Sequence, residues 1–260
     1  MNTRRRDRVL RHQVRQFAAQ AGVWRTELTV GLLTVLTGAT LLHLAAGVPA
    51  SVFAASLLTY GLLVCMVLHS SPAAFHRDGP GLANRVTFLR AALVMPVAAM
   101  ALLPAHLDAG AIYWLLGLAT IALALDGLDG AVARRTGRVT SFGARFDMEL
   151  DAFLILVLAL LVWQTGQAGI WVLLVGLMRY LFVAAGWRWT WLQGELLPSR
   201  RRQTVCVVQS VALLVALAPM VAPGLASTIA FGALILLSYS FIVDVLWLHR
   251  RGRSLAGECR

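Results

Sequence analysis

Four aspartates lie at helical spacings in or beside predicted transmembrane helices. Asp126 and Asp129 are three residues apart, and Asp147 and Asp151 are four apart, so each pair occupies one face of its predicted helix. A short loop joins the two helices. Because an antiparallel hairpin brings its loop-proximal ends together, all four carboxylates are expected to converge. An unpaired carboxylate inside a membrane span is costly, so the pattern predicts a compensating cation.

The composition of this cluster indicates which cation. It contains no His or Cys, and the chain has no Lys. Carboxylate oxygens suit Mg²⁺ or Mn²⁺ and suit zinc or iron poorly. Two divalent cations would balance four carboxylates and form the kind of clamp that acts on phosphoryl groups. Gly130 allows a phosphate to approach the helix backbone, and Arg134 is placed to hold a phosphate oxygen. The sequence thus predicts a phosphate site with two divalent ions.

Two other interpretations of the same residues are possible. In the first, the aspartates pair with nearby arginines as solvated loop charges; these are Arg134, Arg135, Arg138 and Arg145. In the second, they form the ion site of a transporter, which also uses carboxylates inside the membrane. A transporter has no need for the glycine and arginine beside the acids. The transferase interpretation is therefore favoured, with a non-catalytic ion-coupled transporter as the alternative.

The elements that position these residues are membrane-spanning helices. Of the 260 residues, 59% are hydrophobic and only 13% are charged, which is too apolar for a soluble domain. A spanning helix needs roughly 20 mostly apolar residues. Eight runs meet this condition, and they are predicted at 28–48, 51–70, 86–104, 111–133, 147–164, 169–187, 204–222 and 227–248.

The placement of arginine supports this count. All 23 basic residues are Arg, and all but Arg90 and Arg179 fall in alternate connecting segments or at the two ends. Cytoplasmic loops collect basic residues. This predicts a bacterial-type inner-membrane protein with both termini and the aspartate cluster facing the cytoplasm. The net charge of +11 is interpreted as this topology signal, and nucleic-acid binding is not expected because the arginines are dispersed.

The first 27 residues contain several arginines before the first apolar run. The basic region is too long for a signal peptide, and the run that follows is long enough to remain as a span. An interfacial helix on anionic lipid and a disordered basic tail are both consistent with this segment. The three cysteines are interpreted as packing residues, and the tryptophans near the predicted membrane boundaries as aromatic belts.

The stretch from Asp126 to Asp151 resembles the signature of the CDP-alcohol phosphatidyltransferase family, D-x2-D-G-x2-A-R-x8-G-x3-D-x3-D. Every fixed position is met, with Gly130, Ala133, Arg134 and Gly143 between the aspartates. Upstream, Asn84, Thr87 and Arg90 resemble the N-x-x-T-x-x-R start of that family's first core helix. Eight residues separate Arg134 from Gly143. This gap argues against the phosphatidylcholine synthases, in which the corresponding gap is longer.

The resemblance implies a dimeric, all-α polytopic bundle with a six-helix core at residues 80–250. The remaining segments would be a basic region at 1–27, two extra transmembrane helices at 28–79 and a cytoplasmic tail at 251–260. CDP-diacylglycerol would bind through two divalent ions, Mg²⁺ or Mn²⁺. By resemblance, the metal ligands are Asp126, Asp129, Asp147 and Asp151, and Asp151 is also the general base. The CDP-lipid contacts would be Asn84, Thr87, Gly130, Arg134 and Thr140.

The acceptor alcohol is suggested by basic residues outside the signature. Arg179 lies about 12 Å inside its predicted span, at ~1.5 Å per residue, and needs a partner, either the carboxylate cluster or an anionic substrate. Arg200, Arg201 and Arg202 begin the next helix. Basic residues in these places resemble a pocket for a phosphorylated acceptor, so glycerol 3-phosphate is the first expectation, with inositol phosphate, serine or another alcohol as alternatives. The triple arginine is equally consistent with topology alone, and Arg90 with snorkelling or pairing with Asp129.

Overall fold

A computed structural model describes Thr26 and residues 28–70, 82–136, 141–194 and 199–258. Within these ranges, side chains are described except at 68–70, 82–85, 128–136, 141–142, 190 and 252–258. This part of the chain contains eight α-helices and no strand, which confirms the all-helical architecture predicted from the sequence. The predicted basic segment ahead of the first helix lies almost wholly outside the described residues.

The helices follow the predicted apolar runs in order. They are α1 (Leu28–Ala46), α2 (Ser51–Ser70), α3 (Leu82–Ala101), α4 (Ala109–Thr136), α5 (Ser141–Gln164), α6 (Leu173–Arg188), α7 (Arg200–Leu217) and α8 (Pro223–Glu258). Short 3₁₀ helices occur at Pro104–His106, Ile170–Val172 and Thr190–Gln193. Two residues after the end of α5, Gly166 adopts the left-handed conformation at φ 72°. A glycine in this conformation is a common way to terminate a helix.

Four helical segments are long and apolar enough to cross a membrane: Leu28–Ala46, Ala109–Gly127, Ile170–Arg188 and Pro223–Arg251. Ser51–Val67 and Val86–Ala101 are shorter apolar segments. Charged residues occur in the first three turns of α5 and at the start of α7, which shortens their uninterrupted apolar portions. Helix α8 runs for 36 residues, about 54 Å at ~1.5 Å per residue, and so is longer than a hydrocarbon core of about 30 Å.

The chain divides into two compact units, Met1–Met148 and Glu149–Arg260. In the first unit, α2 and α4 both pack against α3. Thr59 of α2 donates to the carbonyl oxygen of Met95 in α3 at 3.3 Å. A Cβ atom on Gly38 of α1 would lie 2.9 Å from the ring of Pro96 in α3. The two helices that precede the predicted core thus pack on its first helix.

In the second unit, the remainder of α5 and helices α6 to α8 contact one another through aromatic and small residues. A Cβ on Gly176 of α6 would overlap the backbone of Leu156 in α5, so these helices approach very closely. Phe182 and Phe241 join α6 to α8 with ring centroids 5.5 Å apart. Helix α7 is fixed to α8 by the fully buried Gln209, whose Nε2 donates to the carbonyl oxygen of Ala233 at 2.8 Å.

Candidate functional site

Helices α4 and α5 bring two of the predicted aspartates together. Asp126 lies in α4 and Asp147 in α5, and their side chains are 24% and 38% exposed. Carboxylate oxygens of the two residues lie within 4.8 Å of each other. The convergence expected from a helical hairpin is therefore present for this pair. A site that is only partly exposed strengthens electrostatic interactions with any cation that enters it.

Arg90 of α3 is the cation that contacts this pair. Its Nη1 lies 2.8 Å from Asp126 Oδ1 and also donates to Asp147 Oδ1. Its Nε donates to the carbonyl oxygen of Ala122 at 3.1 Å. Arg90 is only 1% exposed, so it does not snorkel to the surface. The sequence analysis suggested Asp129 as a partner of Arg90, but the side chain of Asp129 lies outside the described set.

Asp151 follows Asp147 by one turn of α5, and their carboxylate oxygens lie within 4.8 Å of each other. Because α5 is unbroken from Ser141 to Gln164, this spacing is fixed by the helix itself. Among the described residues, Asp126 with Asp147 could hold a metal ion, and so could Asp147 with Asp151. The thiol of Cys206 in α7 lies 3.9 Å from Asp151 Oδ2. The sequence analysis interpreted Cys206 as a packing residue. The spacing of the cysteines in the sequence gives no indication of the contact with Asp151.

The start of α5 is held against α3 by aromatic packing. The rings of Phe88 and Phe146 have centroids 5.2 Å apart, and both side chains are buried. Thr87, which was predicted to contact the CDP-lipid, is also buried, at 3% exposure. Phe146 immediately precedes Asp147, so this contact fixes the position of the carboxylate relative to Arg90.

The other predicted donor-site residues are less fully described. Asn84 lies in α3, and Asp129, Gly130 and Arg134 lie in α4, but their side chains are outside the described set. Thr140 lies outside the described residues altogether.

Arg179 of α6 pairs with Glu149 of α5 through both Nε and Nη2. The sequence analysis predicted the carboxylate cluster or an anionic substrate as the partner of Arg179. The structure shows Glu149 instead, a residue that the sequence analysis did not name. The signal was available, because Glu149 is an acid inside a predicted span. Glu149 projects about 160° around α5 from Asp151, at ~100° per residue, so this ion pair lies on a different face of the helix.

Two of the three arginines at the start of α7 contact one carboxylate. Arg201 donates to Asp244 of α8 and, from Nη1, to the carbonyl oxygen of Ser240 at 2.9 Å. Arg202 Nη1 lies 3.8 Å from the same Asp244 oxygen. Arg200 is exposed. Asp244 was also missed, although an aspartate inside a predicted span is the same signal that identified Asp126.

Comparison with known proteins places this site in a family. Residues 81–243, more than half of the chain, match the CDP-alcohol phosphatidyltransferase family. The chain belongs to this family. The matched segment begins at the start of α3 and contains all four signature aspartates. Membership confirms the resemblance carried by the signature.

One relative is the archaetidylinositol phosphate synthase of Aeropyrum pernix, which is 51% identical over 59 residues. This match covers 23% of the present chain and 30% of the relative's length. No solved structure matches the chain. The comparisons thus establish the family, and the chain spans less than a third of the length of this relative.

Proposed function

We propose that this protein transfers a phosphatidyl group from CDP-diacylglycerol to a phosphorylated alcohol and releases CMP, with glycerol 3-phosphate as the first acceptor to test. The observation that carries the proposal is the convergence of Asp126 and Asp147, with Asp151 one turn further along α5. Family membership supplies the reaction class. The two activated groups in such a reaction, a pyrophosphate and a hydroxyl, need cationic and basic partners respectively.

The donor set fits a hard divalent cation. The candidate ligands are carboxylates, and Arg90 Nη1 contacts one oxygen, Oδ1, of each of Asp126 and Asp147. A carboxylate offers about four lone-pair sites on two oxygens, so both side chains retain capacity for Mg²⁺ or Mn²⁺. Asp126, Asp129, Asp147 and Asp151 would hold two such ions. When bound, they would neutralise the pyrophosphate charge and orient it for displacement.

Asp151 is the proposed general base. It accepts the proton of the acceptor hydroxyl while that oxygen forms a bond to the lipid-side phosphorus. The bond from this phosphorus to the bridging oxygen breaks, and the oxygen leaves with CMP. Asp151 then carries the proton until it is released to solvent. The thiol of Cys206, 3.9 Å from Asp151 Oδ2, is a weak donor that would favour the ionised carboxylate in one orientation.

The CDP moiety would lie along α4 and the start of α3. Gly130 would leave the helix backbone accessible, and Arg134 would bind a phosphate oxygen. Thr140 and the segment from Asn84 to Thr87 would complete this side of the pocket. These assignments come from the family signature.

The acceptor phosphate would be bound by Arg201 and Arg202 at the start of α7. Two guanidinium groups lie at the carboxylate of Asp244, and guanidinium groups bind phosphate oxygens well. The name of the Aeropyrum relative supports inositol phosphate as a second acceptor to test. Arg200 and Arg179 remain sequence-based candidates for the same role.

Three further features are proposed from the sequence and the family. These are a homodimeric assembly, location in a bacterial-type inner membrane, and a site that opens to the cytoplasm. The arginine distribution supports the orientation, since basic residues collect on the cytoplasmic side.

The experiment is CMP release by purified protein in detergent with CDP-diacylglycerol, Mg²⁺ or Mn²⁺, and a panel of phosphorylated and unphosphorylated alcohols. We expect metal-dependent release with a phosphorylated acceptor and none from Asp151→Asn. Arg201→Gln should raise the KM for that acceptor at least tenfold, whereas Arg188→Gln, an exposed arginine at the end of α6, should not. Release with only unphosphorylated alcohols would contradict the acceptor class. No release from folded protein would contradict the proposed reaction.

A further inference from the structure

Arg90 is a buried cation that contacts three acceptors among the described residues. Ala122 and Asp126 supply two of them from α4, and Asp147 supplies the third from α5. A buried guanidinium is costly unless its donors are satisfied by well-placed partners. Its planar fork can reach a carbonyl and two carboxylates at once, which the single ammonium of a lysine cannot do with the same geometry.

The contacts of Arg90 leave the two carboxylates able to bind a further cation. The same nitrogen, Nη1, meets Oδ1 of Asp126 and Oδ1 of Asp147. Two carboxylates whose oxygens lie within 4.8 Å of each other repel when both are ionised. Arg90 offsets one of the two negative charges and draws the two oxygens toward a single point. The pair remains negatively charged and is already converged.

We propose that Arg90 is a positioning residue that assembles the Asp126–Asp147 pair before any divalent cation binds. It thereby also sets the charge that a cation meets at this site. The guanidinium does not take part in the transfer itself. The inference rests on the proposed metal centre but not on the identity of the acceptor or the donor.

Two variants separate the geometry of Arg90 from its charge. Arg90→Lys keeps the charge and loses the fork, so Mn²⁺ should bind about tenfold more weakly than to the wild-type protein. Arg90→Gln removes the charge as well as the fork, so the Tm of the protein in a chelator should fall because the two carboxylates then repel each other. Arg145→Gln is the matched control, because Arg145 is an exposed arginine two residues before Asp147. Its Tm and Mn²⁺ affinity should stay close to those of the wild type.

The double variant Arg90→Gln/Asp126→Asn completes the test, and if Arg90→Gln alone does not fold, the double variant should still do so. Asp126→Asn alone should lower the Tm in chelator, because it weakens a partner of the buried arginine. In the Arg90→Gln background the same change should raise the Tm, because it removes a repulsion between carboxylates. This change of sign measures the coupling between the two residues.

The measurements are Mn²⁺ binding by electron paramagnetic resonance and thermal unfolding in detergent, neither of which uses a CDP-linked substrate. Their outcome is therefore independent of whether the proposed transfer reaction is correct. Wild-type Mn²⁺ affinity in Arg90→Lys would overturn the positioning role, as would an absence of Mn²⁺ binding by the wild-type protein. Additive effects in the Arg90 and Asp126 cycle would overturn it as well.

Discussion

Arg201 at the start of α7 forms an ion pair with Asp244 of α8. Its second terminal nitrogen donates to the carbonyl oxygen of Ser240, one turn earlier in α8, at 2.9 Å. Both terminal nitrogens of the guanidinium are thus oriented by one helix. Asp244 is largely buried, at 14% side-chain exposure. This pair therefore fixes the direction in which Arg201 can meet a ligand.

Asp244→Leu is predicted to destabilise the protein by about 1–3 kcal/mol, because it leaves a partly buried arginine without its carboxylate. The measurement is thermal unfolding in detergent. The double variant Arg201→Met/Asp244→Leu should recover part of the loss, since neither charge then remains unpaired. A double variant that is less stable than the sum of the two single changes would contradict this account of the pair.

The helices and the four aspartates could be predicted from the sequence, because apolar runs and acids inside them are local signals. The start of α5 was placed too late, at 147 instead of Ser141, because a hydropathy criterion ends a helix where charges begin, while the backbone continues through them. Which acid Arg90 and Arg179 each contact could not be derived. Asp147 lies 57 residues from Arg90 and Glu149 lies 30 from Arg179, and the packing between helices decides which of the available acids each arginine meets.

Activity is predicted to be lost on chelation and restored by Mg²⁺ or Mn²⁺, but not by Zn²⁺. The reason is that the candidate ligands Asp126, Asp147 and Asp151 are all carboxylates. Carboxylate oxygens suit Mg²⁺ and Mn²⁺ better than Zn²⁺. The measurement is CMP release after dialysis against chelator and addition of each ion. Asp147→Asn should lower the rate at saturating Mg²⁺ by at least a hundredfold, of the order seen when an electrostatic catalytic group is removed. Full recovery with Zn²⁺ would refute the proposed hard-ligand centre.

Gly176→Ala is predicted to destabilise the second unit by about 2 kcal/mol, because a Cβ there would overlap the backbone of Leu156. Gly232→Ala in α8 is the matched control, since a Cβ there meets nothing within 4 Å. Alanine favours a helix over glycine by about 1 kcal/mol, so the control should be neutral or slightly stabilising. Thermal unfolding of both variants checks the difference, and equal Tm values would show that α5 and α6 do not approach this closely.

Gly38→Leu is predicted to lower the Tm although Gly38 lies outside the matched family segment. Helix α1 packs on Pro96 of α3 at this glycine, where a Cβ would come within 2.9 Å of the ring. Gly61→Leu in α2 places the same side chain where a Cβ meets nothing within 4 Å, and it should be tolerated. If both variants had the wild-type Tm, the N-terminal helices would not contribute to the stability of the first core helix.

The pair formed by Glu149 and Arg179 provides a test of two roles for the same arginine. Its side chains are 43% and 28% exposed, so a purely structural pair of this kind contributes at most about 1 kcal/mol. The exchange Glu149→Arg/Arg179→Glu keeps the pair and reverses its direction, and we expect it to recover the Tm lost in Arg179→Glu alone. Because Glu149 projects about 160° around α5 from Asp151, the exchange should also leave the KM for the phosphorylated acceptor within about threefold of the wild-type value. An exchange variant with a recovered Tm and a KM raised more than tenfold would instead place Arg179 in the acceptor pocket. Its depth inside the predicted membrane span first suggested that role.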